Sequence, residues 1–94
     1  MQVTLNSGRA VEIAPLKMGQ LRRMTEAVTD GRAVEATVNA CVDAMRNADP
    51  TGAPVSAVWF EDEFTVMECN ELFAKVAEVS GIKLGEATAT ASTS

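Results

Sequence analysis

Hydrophobic and polar positions alternate through residues 2 to 14. Val3 and Leu5 face one way and Gln2, Thr4 and Asn6 the other, after which Val11 and Ile13 oppose Ala10, Glu12 and Ala14. Two period-two runs on either side of Asn6-Ser7-Gly8 predict a β-hairpin over 2–14, with Gly8 supplying the positive φ of a short turn. A lone hairpin is marginal in water, so the Val3, Leu5, Val11, Ile13 face must lie on something apolar. Only helices follow to provide it.

From Pro15 the period lengthens to that of a helix. Pro15 cannot donate to a β-ladder and ends the second strand. Leu21, Met24 and Val28 then recur at helical spacing over about 19–29, closed by Asp30-Gly31, where Gly31 suits a left-handed C-terminal cap. A second helix over 32–48 carries Val34, Val38, Cys41, Val42 and Met45 on one side. Turn formers gather from Ala48 to Pro54, and a third helix is predicted over about 57–80, from an N-cap near Ser56 to Ser80-Gly81. Its second half sorts cleanly, with Cys69, Leu72, Phe73, Val76 and Val79 on one arc and Glu68, Glu71, Lys75 and Glu78 opposite. Phe60, Phe64 and Met67 break that order, because their i, i+4, i+7 spacing puts them on the side of Glu71 and Glu78. Glu61, Asp62 and Glu63 are expected near the first turn, where the helix dipole favours them, and Glu71 with Lys75 forms an i, i+4 ion pair. Past Leu84 the chain reads GEATATASTS, and this composition predicts a disordered tail over 85–94. The expected fold is a single mainly α, α+β domain over 1–84: an N-terminal hairpin followed by three helices in a small bundle.

Composition supports a globular domain, with 47% hydrophobic and 22% charged residues among 94. The net charge is −5, and its placement matters more than its size. Basic and acidic residues balance up to Phe60, so the excess of carboxylates belongs to the last helix and the tail. A nucleic-acid ligand requires a basic stripe, and none is present. Cys41 and Cys69 form no CxxC motif and are expected as free thiols of a cytoplasmic protein. No apolar run approaches the ~18 residues of a membrane span, and MQVTLNSG has no signal-peptide pattern.

Candidate chemistry is sparse. The chain has neither His nor Tyr, its glycines are scattered, and the carboxylate beside Cys69 disfavours a thiolate there. No enzymatic activity, cofactor or metal is expected. Surface remains. Trp59, Phe60, Phe64 and Met67 are either covered by the hairpin or left exposed as an anchor for a protein partner, with Glu63 and Glu71 as an acidic rim. A core this small also makes a homo-oligomer an expectation to test, through the open edge of the hairpin.

Two stretches resemble a known family. The opening VTLNSGRAVEIAPLKMGQL, a hairpin running into a Pro-Leu-Lys turn and a helix, is similar to the start of the tail assembly chaperones of long-tailed bacteriophages, particularly Mu-like phages. The later WFEDEFTVMECNELFAKVAEV resembles their last helix. The resemblance covers about 40 residues. It implies a non-enzymatic helper in the bacterial cytoplasm that binds helical segments of the tape-measure protein during tail morphogenesis. Alternatives are a small acidic inhibitor or adaptor of a host protein, and a self-associating structural tail subunit.

Overall fold

The computed structural model describes residues 1–49 and 55–82. The predicted tail over 85–94 and most of the turn-rich stretch before the third helix lie outside them. Six elements follow in order: β1 (Gln2–Thr4), β2 (Ala10–Glu12), α1 (Met18–Thr29), α2 (Ala33–Ala48), α3 (Ala57–Glu63) and α4 (Val66–Val79). The fold is mainly helical with a small N-terminal antiparallel sheet.

The hairpin pairs Gln2 with Glu12, Val3 with Val11 and Thr4 with Ala10. Its loop is Asn6-Ser7-Gly8, closed by the Leu5 amide on the Arg9 carbonyl at 2.8 Å and the Gly8 amide on the Leu5 carbonyl at 2.8 Å. Gly8 at φ 93° takes the left-handed position that lets three residues reverse the chain. With that register fixed, Val3, Leu5, Val11 and Ile13 share one face and are all buried. They join Val38, Cys41 and Val42 of α2, Phe60 of α3, and Leu72 and Val76 of α4 in one core.

α1 packs along α2 through small residues. Ala27 is its one buried side chain and Ala36, Ala40 and Ala44 are buried on α2, whereas Val28 remains half exposed. Of the apolar stripe read from Leu21, Met24 and Val28, the first two are half-buried and only the last position differs, Ala27 taking the buried place of Val28 because alanine allows the close contact that a larger residue would block. α1 ends in a Schellman motif, with Arg32 N–H bonded to the Ala27 carbonyl at 2.8 Å and Gly31 N–H to the Val28 carbonyl at 3.0 Å. The α4 terminus repeats it through Gly81 and Ile82.

The single third helix expected over 57–80 is two helices, and this is the main correction to the sequence reading. Phe64 takes an extended conformation at φ −105° and ψ 140°, and Thr65 starts a new helix as its N-cap. The Thr65 hydroxyl accepts the Glu68 N–H at 3.1 Å while Glu68 Oε1 accepts the Thr65 N–H at 2.9 Å. This reciprocal capping box satisfies two amide donors that a continuous helix would have bonded internally. On one continuous helix, Phe60 and Phe64 would lie roughly 120° from the Leu72–Val76 stripe. The break swings both aromatics into the same core as that stripe.

Two smaller corrections follow. Glu61, Asp62 and Glu63 stand in the last turn of α3, where the dipole disfavours them, rather than in a first turn. Lys75 pairs with Glu78 at 3.7 Å, and Glu71 instead accepts the Asn6 N–H of the hairpin loop at 2.9 and 3.2 Å.

Candidate binding groove

The α3–α4 elbow is organised around Phe64. Its ring stacks on Phe60, with centroids 4.3 Å apart and planes 13° from parallel, and meets the edge of Trp59 at 5.9 Å. The Arg9 guanidinium covers the ring at 4.3 Å. Arg9 is held there by two bonds, Nε to Glu68 Oε2 at 3.1 Å and Nη2 to the Glu63 carbonyl at 2.9 Å. Glu68 Oε2 also accepts the Ser7 hydroxyl at 2.7 Å. One carboxylate thus caps α4, ties down the hairpin loop and positions the cation over Phe64.

Glu68 has only 8% of its surface exposed, yet it is fully partnered. The hydrogen bond from the Thr65 backbone, then that from Ser7, and the bond and charge of Arg9 outweigh its burial and hold its carboxyl well below the usual range, at about 2. Sequence periodicity placed Glu68 on the solvent side. The signal that identifies its role is the Thr65-Val66-Met67-Glu68 spacing, a capping box written in the chain.

Beside this elbow runs an apolar groove of about 450 Å³. Val34 and Val38 of α2 form one wall and Val66 and Cys69 of α4 the other, with Phe60 and Phe64 as the floor. Its volume falls in the range of sites that bury a ligand or a few side chains. Val34 is 80% exposed and Val66 77%, so the rims are apolar and open to solvent. Neither valine is required there by helix formation, because each sits in the first turn of its helix, a place that polar residues fill more readily.

The residues expected to bind a partner divide on inspection. Phe60 and Phe64 are buried, so neither protrudes as an anchor, and the hairpin face and Arg9 are what cover them. Both still floor the groove. Trp59 is about one-third exposed at the edge of the cluster, while Met67 is fully out at 81% but not part of the groove wall. Glu63 is exposed and lends only its carbonyl, to Arg9; Glu71 is committed to the hairpin loop. Val34, expected on the apolar side of α2 with Val38 and Cys41, is instead exposed on the groove rim; Glu61 of the acidic run borders the groove, and Val66 was not singled out by the sequence, since nothing local distinguishes an unpartnered valine from a buried one.

Cys41 is fully buried behind the groove wall and Cys69 is partly exposed in it; both are free. The Cys41 thiol lies 3.9 Å from the Cys69 carbonyl. Hydrogen bonding with Cys69 and then burial raise the Cys41 thiol, and the same hydrogen bond lowers that of Cys69. Among the described residues, no three His, Cys, Asp or Glu side chains converge as metal ligands, and no helix is long and apolar enough to cross a membrane. No known protein family, characterised protein or solved structure matches the chain.

Proposed function

We propose that this chain is a non-enzymatic tail assembly chaperone of a long-tailed phage, acting in the bacterial cytoplasm to hold helical segments of the tape-measure protein during tail morphogenesis. The observation that carries the binding role is the open apolar groove between α2 and α4, with Val34 and Val66 exposed on its two rims. A packed helix presents side chains at i, i+4 and i+7, and a groove walled by two helices and floored by aromatic rings is the complement of such a row. The resemblance of the hairpin and last-helix stretches to the phage family supplies the client.

Co-expression with tape-measure fragments tests the reading. Wild-type protein is expected to co-purify with a fragment, and Val34→Asp combined with Val66→Asp to lose it. Both substitutions put a carboxylate in the first turn of a helix, where the dipole favours it, so the fold should persist by circular dichroism. Absence of any complex with a tail protein would count against the reading. An acidic adaptor of a host protein is favoured by one observation, the exposed Glu61-Asp62-Glu63 run. Such an adaptor would bind its target equally well with both valines replaced.

A further inference from the structure

The three carboxylates at the end of α3 are a local choice against helix stability, and among the described residues none of Glu61, Asp62 and Glu63 forms an ion pair. Glu61 borders the groove. The cations nearest the groove are already committed. Arg9 is bound to Glu68, and Arg32, at the start of the α2 wall, lies 3.3 Å from Asp30 and 3.5 Å from Glu35. The groove therefore has apolar walls and one carboxylate, Glu61, at its α3 margin.

From this complementarity we infer that the groove selects an amphipathic helix whose apolar row enters between Val34 and Val66 and whose flank toward α3 carries Lys or Arg. The inference rests on the chaperone reading and specifies the client's chemistry. An acidic-flanked helix of identical apolar face would meet like charge at Glu61, and a neutral one would gain nothing there. The partial positive charges of the α2 and α4 N-termini also face this region, but Glu35 in the first turn of α2 and the capping box of α4 offset them, which leaves the full charge of Glu61 at the margin.

The test uses the full chain and three synthetic 18-residue amphipathic helices sharing one leucine row, flanked by Lys, Gln or Glu. Trp59, the only tryptophan, packs on the groove floor through Phe64 and reports binding by its fluorescence. The Lys-flanked helix is expected to bind about threefold tighter than the Gln-flanked one, in keeping with one partly exposed ion pair at Glu61. That advantage should shrink as salt rises from about 50 to 500 mM. It should disappear in Glu61→Gln/Asp62→Asn/Glu63→Gln, a variant that relieves the helix C-terminus and so should remain folded. Equal binding of the Lys and Gln helices to wild type would overturn the charge selection and leave the chaperone reading standing. Failure of all three helices to bind, with a tape-measure fragment still captured, would overturn the groove as the docking site. Failure of the peptides and of every fragment would overturn both.

Discussion

Glu68 joins three parts of the molecule through one side chain: the Thr65 amide, the Ser7 hydroxyl and the Arg9 guanidinium. Because its folded carboxyl titrates near 2 and an unfolded one near 4.5, the stability it contributes is fully present above the higher value and is lost as pH falls toward the lower. Asp43 works in the opposite direction. Burial, partly offset by Arg23 and Arg46, raises its carboxyl, so its protonation on acidification relieves the folded state. Glu68→Gln keeps the cap acceptor but removes the charge. The variant is expected to unfold at lower temperature than wild type at pH 7, with the gap closing as pH is lowered from about 4.5 toward 2. A gap that stayed constant with pH, measured by thermal melts in parallel buffers, would show that the charge contributes nothing.

At the scale of elements, the break at Phe64-Thr65 decides where the aromatics go. Neither α3, at seven residues, nor the junction would persist alone, since a helix this short is not self-supporting in water. Packing of Phe60 into the core and the Thr65 cap hold it. Thr65→Ala removes the hydroxyl acceptor for the Glu68 amide and is expected to cost about 0.5–2 kcal/mol in urea unfolding, while Thr65→Ser should be near neutral. Equal stability of the alanine variant and wild type would mean that packing alone fixes the elbow. Continuous periodicity concealed this break: Phe60, Phe64 and Met67 kept helical spacing through it, and only their disagreement with the Leu72–Val76 stripe betrayed two axes.

For the whole molecule, the hairpin is the lid on a core that the helices cannot close by themselves. Four of its side chains are buried, and its loop is bonded to α4 at Glu68 and Glu71 across more than sixty residues of sequence. Removing residues 1–14 uncovers that core and the Phe64 face that Arg9 shields. Such a truncation is expected to lose its cooperative thermal transition and to aggregate, read by calorimetry and light scattering. A sharp transition at an unchanged temperature would show that the helices form an independent domain.

Much of this architecture was legible in the residues themselves because its causes are local. The hairpin followed from alternation around a glycine turn, α1 and α2 from period and from Gly31, the last helix terminus from Gly81, and the N-cap of α3 from Ser56, whose hydroxyl accepts the Trp59 amide at 3.2 Å. Solvation was not local. Whether Val34 is core or rim depends on what stands opposite it, and whether Glu68 is exposed depends on where the hairpin loop lands. Sequence by itself determined the hairpin, α1, α2 and the end of the last helix, whereas it ran α3 and α4 together and counted Val34 among the residues α2 would bury. The tertiary structure decided which apolar residues were left over, and it left Val34 and Val66 facing each other across a groove, because burying Phe60 and Phe64 required the chain to bend at Thr65.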